Sequence, residues 1–207
     1  DIDFLVLESA MAQLVTWQLA LGRQDMTINC NASSDLISDF GTLVKVENLL
    51  EKYQLPPHCL NLEVTESVLI NDTEKTMKIL SELKALGVNI HLDDFGTGFS
   101  SLSYLTQFPI DALKIDRSFV NRISEGGKDK AIVESIQLMA KRLGIKVIAE
   151  GVENAEQYDM LVKMGVDKTQ GYYHGKPLPA GEYTTRLQQK RKEGAQGAQT
   201  IEPGLSC

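Results

Sequence analysis

Short apolar runs alternate with longer segments along this chain of 207 residues, and the two kinds of segment predict different elements. Six of the runs are rich in β-branched residues, or are short and largely apolar, which is typical of strands buried in a parallel sheet. They occupy residues 26–32, 59–65, 88–92, 112–115, 146–149 and 168–172. The pattern therefore predicts six strands.

Between the predicted strands, apolar residues recur every three or four positions, as on the buried face of an amphipathic helix. The clearest stripes are Phe4, Leu7, Met11 and Leu14; Leu43, Val46 and Leu50; Met77, Leu80 and Leu83; and Ile132, Ile136, Ala140 and Leu143. These stripes predict helices that pack against one side of the sheet.

Helix ends are also visible in the sequence. Asn71 or Asp72 is suited to cap one helix start, and Asn154 is suited to cap another. Glycine follows three of the helical segments, where a residue in the left-handed conformation commonly ends a helix. These glycines are Gly87, Gly144 and Gly165.

The alternation of strand and helix predicts an α/β protein with parallel strands joined by right-handed crossovers. An open doubly wound sheet is compatible with this order. We favour a modified TIM (β/α) barrel that lacks its opening strands, because polar residues follow nearly every strand. We assign residues 1–186 to the barrel and residues 187–207, where the sequence turns polar, to the end of a helix and a tail.

Composition narrows the class of protein. With 43% hydrophobic and 24% charged residues, the chain resembles an ordinary globular protein. A net charge of −7 argues against electrostatic binding of duplex nucleic acid. The spacing of the three cysteines matches neither a disulfide framework nor a zinc site. We see no apolar run long enough to span a bilayer and no signal peptide. We therefore expect a cytoplasmic protein.

Polar side chains lie at or near the carboxyl end of each predicted strand. They are Asn31, Glu63, Asp93 with Asp94, Lys114, Glu150 and Gln170. In a barrel these ends meet at one rim, where the catalytic groups of such barrels lie. An open sheet would instead spread them along a line. Our hypothesis that the sheet closes into a barrel therefore rests on the expectation that these residues act together in one site.

Asparagine and carboxylate oxygens are hard ligands that suit Mg²⁺ or Mn²⁺, whereas the absence of histidine at these positions disfavours zinc. Two cations bridged by a carboxylate such as Asp93 would form a clamp for phosphoryl displacement by water. Lys114 would hold that water or neutralise charge on phosphate oxygens, and Glu150 would serve the second cation. Asp94-Phe95-Gly96 also spells the magnesium motif of kinases, but no glycine-rich phosphate loop or His-Arg-Asp loop accompanies it.

Six segments in order resemble the EAL-domain family. They are Asn-Ala-Ser at 31–33, Leu-Glu-Val-Thr-Glu-Ser at 62–67, Asp-Asp-Phe-Gly-Thr-Gly-Phe-Ser-Ser-Leu at 93–102, Leu-Lys-Ile-Asp-Arg-Ser-Phe-Val at 113–120, Ala-Glu-Gly-Val-Glu at 149–153 and Gln-Gly-Tyr-Tyr at 170–173. The resemblance runs from about residue 4 to residue 179.

The resemblance implies a modified TIM barrel that hydrolyses cyclic di-GMP to linear pGpG with two Mg²⁺ or Mn²⁺ ions. It implies that Asn31, Glu63 and Asp93 bind the first metal, and that Asp93 and Asp94 surround the second. Lys114 would orient the attacking water.

The remaining roles also come from the resemblance. Glu150 matches a glutamate of the metal site, and Gln170 matches a glutamine near the phosphate and the water. Glu66 matches a glutamate that steadies the loop at 94–101, which the family links to dimerisation. We therefore expect a homodimer. We also expect fusion to GGDEF, PAS or receiver domains in the full-length protein. Some members of the family also carry membrane segments.

One departure from the family pattern is that Glu-Ala-Leu, the signature that names it, does not occur in these 207 residues. By family pattern, it belongs on a strand before the first helix of this chain. We therefore expect either an enzyme, or an inactive receptor or regulatory domain that binds cyclic di-GMP without hydrolysis. A purely structural role is a third hypothesis, against which the retained metal-site residues argue.

Overall fold

The computed structural model describes residues 2–97, 102–125 and 127–194. Six parallel strands form one sheet in the order in which they occur in the chain. They are β1 (Ile28–Asn31), β2 (Leu60–Thr65), β3 (Asn89–Phe95), β4 (Ala112–Ile115), β5 (Lys146–Ala149) and β6 (Lys168–Thr169). The prediction of six strands in α/β alternation is therefore confirmed.

Helices connect and cover the strands. In the described residues they are α1 (Ile2–Leu21), α2 (Ser34–Ser38), α3 (Thr42–Tyr53), α4 (Glu66–Asn71), α5 (Thr73–Leu86), α6 (Leu102–Gln107), α7 (Arg117–Asn121), α8 (Gly127–Leu143), α9 (Ala155–Met164) and α10 (Ala180–Gly194). Single 3₁₀ turns occur at Pro57–Cys59 and Ile123–Glu125. Helix α10 crosses the boundary that we placed between residues 186 and 187, and the division into barrel and tail stays a prediction.

The predicted caps are confirmed. The Asp72 side chain accepts a hydrogen bond from the Lys75 amide at the start of α5, and Asn154 forms a capping box with Gln157 at the start of α9. Gly87 and Gly165 end α5 and α9 in the left-handed conformation, with φ of 106° and 81°. Local sequence signals thus set where these helices begin and end.

The sheet curls into a half barrel that lacks the opening strands of a TIM barrel. Strands β2 and β5 are three positions apart, which corresponds to about 14 Å in a flat sheet. Lys114 on β4 nevertheless contacts Glu63 of β2 at 2.7 Å and Glu150, next to β5, at 2.8 Å. The concave face of the curved sheet gathers these groups around one ammonium, and the barrel-like fold is confirmed.

The core lies between the convex face of the sheet and the helices. Side chains alternate between the two faces of a strand, and the apolar set of each strand packs with the helices. In β2 this set is Leu60, Leu62 and Val64, each at most 1% exposed. The opposite, concave face carries polar groups.

Helix α1 is long and apolar enough, by length and composition alone, to span a bilayer. Our expectation that no run reaches this length is wrong on that criterion. The core helix of a globular protein passes the same test, and Leu7, Met11 and Leu14 of α1 are buried in the core. Its other side exposes Ile2 and Leu5, so its apolar residues do not form a single stripe.

Those exposed residues line a groove of about 690 Å³ between α1, the segment after β6 and α10. Thr169 of β6 and the segment after it form one wall of the groove, and α1 forms another. It is lined mainly by apolar residues and does not contain the carboxylates of the rim.

Candidate metal and phosphodiester site

A buried lysine stands at the centre of the carboxylate cluster. The Lys114 ammonium lies 2.7 Å from Glu63 Oε2, 2.8 Å from Glu150 Oε1 and 3.1 Å from Asp93 Oδ1. The side chains of Lys114 and Glu63 are only 3% and 2% exposed. Lys114 therefore does not extend into solvent, and the structure brings four of the predicted site residues into direct contact.

A bulge in β3 explains how two consecutive carboxylates reach the same site. The register with β4 shifts between Leu92 and Phe95, so that β3 carries one extra residue. Asp94 is the extra residue of the bulge. Its φ of 54° is a left-handed conformation, which residues other than glycine rarely adopt. Carboxylate oxygens of Asp93, Asp94 and Glu150 consequently lie within 4.8 Å of one another. Our predicted strand ended at Leu92, and the structure corrects it to Phe95.

Burial and crowding raise the pKa values of three carboxyls in the cluster. Burial raises the pKa of the carboxyls of Glu63 and Glu150 above their ordinary values, although the Lys114 ammonium favours their charged forms. Burial, together with the charge of Asp93, also raises the pKa of Asp94. Such crowded carboxylates are stabilised by a cation in their midst.

The same surroundings also raise the pKa of Lys114, but for the lysine the cause is the neighbouring negative charges. Burial alone would lower the pKa of Lys114, but Glu63, Glu150 and Asp93 outweigh it and raise that pKa above its ordinary value. The ammonium is therefore charged at neutral pH. It can donate hydrogen bonds and stabilise negative charge, and it cannot act as a base there.

The donor set fits a hard divalent cation. The carboxylates of Asp93, Asp94 and Glu150 converge. Glu63 contacts the Lys114 ammonium, as do Asp93 and Glu150. All of these ligand atoms are carboxylate oxygens, which Mg²⁺ and Mn²⁺ prefer over the nitrogen and sulfur ligands typical of zinc. The fold thus contains an acidic cluster with the kind of donor atoms that could hold a hard divalent cation.

Asn31 and Gln170 lie on the same rim, at the two edges of the sheet. Asn31 is the last residue of β1 and is in register with Glu63. Gln170 follows β6, which ends at Thr169 and not at residue 172 as we predicted. The chain turns there because Gly171 is in contact with Val152, where an added Cβ would lie 2.3 Å from its backbone.

Glu66 holds the loop after β3. It is the first residue of α4, and its Oε1 accepts a hydrogen bond of 2.9 Å from the Gly96 amide. The Thr97 hydroxyl donates to the Asp94 carbonyl at 2.9 Å, which closes a turn at the base of the loop. Ser100 and Ser101, whose residue type is suited to cap a short helix, lie outside the described residues.

The sequence analysis missed a set of buried amides below the rim. The Asn29 side chain donates to Glu63 Oε1 at 2.7 Å and accepts from Asn61 at 2.7 Å. We interpreted these strands as apolar runs with polar ends. The signal was available in the alternation of polar residues along β1 and β2, such as Asn29 with Asn31 and Asn61 with Glu63.

A parallel half barrel with an acidic rim defines a class of (β/α) proteins that carry their chemistry at the carboxyl ends of the strands. Residues 1–177 match the EAL domain family, and the chain belongs to it. The bifunctional diguanylate cyclase/cyclic di-GMP phosphodiesterase MucR of Pseudomonas aeruginosa is 41% identical over 175 residues, which are 84% of this chain and 25% of MucR.

Two further comparisons agree with this assignment. The cyclic di-GMP phosphodiesterase NbdA of P. aeruginosa is 37% identical over 94% of this chain and 25% of its own length. The structure of the PaMucR phosphodiesterase in complex with c-di-GMP superposes with a TM-score of 0.82 at 40% identity, over 88% of this chain and 73% of that one. The chain spans about a quarter of the length of these curated relatives.

Proposed function

We propose that this chain provides the site for hydrolysis of cyclic di-GMP to linear pGpG with Mg²⁺ or Mn²⁺. The observation that carries the proposal is the contact of Lys114 with carboxylates from three different strands or strand ends. The names of the relatives support the same substrate, since both MucR and NbdA are described as phosphodiesterases of cyclic di-GMP.

In this proposal Asn31, Glu63, Asp93, Asp94 and Glu150 hold the cations. Bound Mg²⁺ or Mn²⁺ supplies Lewis acidity toward a phosphoryl oxygen and lowers the pKa of water. The carboxylate oxygens of these residues would hold the cations, and the bulge at Asp94 brings its carboxylate beside that of Asp93.

Lys114 acts as a cationic hydrogen-bond donor in the proposed reaction. Because its pKa is raised, it stays protonated, and it orients the attacking water or stabilises charge on a non-bridging phosphate oxygen. Gln170 provides a neutral polar group on the far edge of the rim. Glu66 keeps the loop base beside Asp94 through its contact with Gly96.

The test is turnover of cyclic di-GMP to pGpG in the presence of Mn²⁺, followed by chromatography. Glu63→Gln removes one negative charge inside the cluster and is expected to lower turnover at least about 100-fold. Glu153→Gln makes the same chemical change on an exposed neighbour of the rim and is the matched control. Equal turnover in these two variants would refute the assignment.

Binding without hydrolysis is the second candidate function, because Glu-Ala-Leu does not occur in these 207 residues. Calorimetry on the same chain separates the two candidates. Uptake of cyclic di-GMP without pGpG identifies a receptor, and pGpG formation identifies an enzyme. Absence of both, with Mn²⁺ present, contradicts both functions.

We further propose a cytoplasmic homodimer within a multidomain signalling protein that carries GGDEF, PAS or receiver domains. The name of the bifunctional relative MucR and the small share of its length that this chain spans support the multidomain arrangement. Sedimentation equilibrium over a tenfold concentration range tests the dimer. A constant mass of one chain, with and without cyclic di-GMP, would contradict it.

A further inference from the structure

Three asparagines form a continuous line of hydrogen bonds across the concave face of the sheet. Asn29, Asn61 and Asn89 are register partners on the adjacent strands β1, β2 and β3. The Asn89 amide donates to Asn61 Oδ1 at 2.9 Å, and the Asn61 amide donates to Asn29 Oδ1 at 2.7 Å. The Asn29 amide then donates to Glu63 Oε1 at 2.7 Å.

The direction of this line is fixed at both ends. An ionised carboxylate can only accept hydrogen bonds, so Asn29 must present its NH₂ group to Glu63 and its oxygen to Asn61. At the other end, Asn89 Nδ2 also donates to the backbone carbonyl of His58 at 3.0 Å, which likewise only accepts. Each amide therefore has one orientation, and the line ends on a single oxygen of Glu63.

That oxygen is the one that Lys114 does not use. Lys114 contacts Glu63 Oε2, whereas Asn29 contacts Oε1, so the carboxylate is held from both sides. Asn29, Asn61 and Glu63 are 6%, 5% and 3% exposed, which excludes water as a competing partner for most of their surface. Lys114 and Asn29 thus set the plane of the Glu63 carboxylate.

These amides occupy positions that a barrel usually fills with branched apolar residues. Buried polar groups contribute less stability than well-packed apolar ones, so two buried amides, Asn29 and Asn61, linked to the half-buried Asn89 point to a task beyond packing. We propose that Asn29, supported by Asn61 and Asn89, is a positioning residue that orients Glu63 for cation binding. This inference rests on the proposed function, since it assigns Glu63 to the metal site.

The experiment measures the affinity for Mn²⁺ by titration with EPR detection of the free ion, together with the thermal unfolding midpoint without metal. Asn29→Leu keeps the branched shape of the side chain and removes the donor, and we expect Mn²⁺ affinity to fall 10- to 100-fold, the usual range for groups that orient a metal ligand. Asn61→Leu, one step further away, is expected to have a smaller effect in the same direction.

The matched control is Cys30→Ala, the next residue of β1, whose buried side chain faces the opposite side of the sheet. It lowers stability and is expected to leave Mn²⁺ affinity within twofold of the wild type. Asn29→Ala serves as a second variant in case Asn29→Leu does not fold, with the same expected loss of affinity.

The outcomes separate the two proposals. A folded Asn29 variant that binds Mn²⁺ as tightly as the wild type overturns the positioning role and leaves the metal site intact. A wild-type chain that does not bind Mn²⁺ overturns the metal site and this inference with it. Loss of affinity in the Asn29 variants but not in Cys30→Ala supports the proposal.

Discussion

The two faces of the same sheet differ in what their side chains do. On the convex face, residues such as Leu62, Ile90 and Val147 are fully buried against helices and contain no polar atoms. On the concave face, Asn29 and Glu63 are almost as buried but are held by hydrogen bonds and ion pairs. One strand thus supplies stability with every second residue and chemistry with the residues between.

This difference predicts that substitutions on the two faces have separable effects. Changes on the convex face remove apolar contacts and lower the free energy of unfolding without altering the site. Changes on the concave face leave charges or amides without partners and alter both cation binding and the pH dependence of stability.

The largest effect is expected for Lys114→Met. It leaves three crowded carboxylates without their cation, and loss of one member of a buried ion pair lowers the free energy of unfolding by about 3 to 5 kcal/mol. Urea unfolding at neutral pH measures the loss. The loss is expected to shrink as the pH falls. Without the Lys114 ammonium, which lowers the pKa of Glu63 and Glu150, these two carboxyls take up protons more readily in the folded variant, and protonation removes their mutual repulsion.

Lys84→Met is the matched control for that substitution. Lys84 pairs with Asp111, but its side chain is 37% exposed, and exposed pairs contribute about 0 to 1 kcal/mol. If Lys114→Met cost no more than Lys84→Met, the cluster around Lys114 would not exist in solution.

Leu62→Ala tests the convex face. Truncation of a fully buried leucine creates a cavity and is expected to lower the free energy of unfolding by about 3 kcal/mol. Affinity for Mn²⁺ should remain that of the wild type at temperatures where the variant is folded. A weakened affinity in this variant would show that the two faces do not act separately.

His91, on the concave face, is expected to make the free energy of unfolding depend on pH. Burial, with a smaller contribution from the Lys114 charge, lowers its pKa from 6.5 to about 4. Between these values the unfolded chain binds a proton that the folded chain does not, so stability falls as the pH falls. From pH 7 to pH 5 this residue accounts for a loss of about 2 kcal/mol.

Urea unfolding of His91→Gln at both pH values checks the effect, since the variant should lose less stability on acidification than the wild type. His58→Gln, at an exposed side chain, is the control and should retain the wild-type pH dependence. Identical slopes for all three proteins would mean that His91 is not buried as a neutral group.

The smallest effect is expected for Glu66→Ala. It removes one hydrogen bond to the Gly96 amide, which contributes about 1 kcal/mol. Glu74→Ala also deletes an acidic residue from the first turn of a helix and is the control. Hydrogen exchange should accelerate at Gly96 in the first variant only, and equal exchange in both would remove Glu66 as the anchor of this loop.

The sequence was informative where one local signal determined the structure. Strands β4 and β5 have the predicted bounds, because a short apolar run between a helix end and a polar residue is unambiguous. The extension of β3 to Phe95 was missed because it depends on the bulge at Asp94, which the partner strand imposes. The shorter β6 depends on the contact of Gly171 with Val152, which is distant in the sequence.

For a similar reason, some residues of the candidate site were predicted from the sequence and others were missed. Residues at strand ends, such as Glu63 and Asp93, follow from order along the chain alone. The hydrogen bond from Asn29 to Glu63 depends on the register between strands, which cannot be read from the sequence. Long-range pairing therefore limited the prediction, whereas residue chemistry did not.

The central claim is that groups from distant strands share one cation site, and Mn²⁺ binding tests it most directly. The wild-type chain should bind Mn²⁺ saturably, and Asp93→Asn and Glu150→Gln, from β3 and the end of β5, should each weaken the same binding event at least tenfold. Binding that is unchanged in either variant would contradict the account.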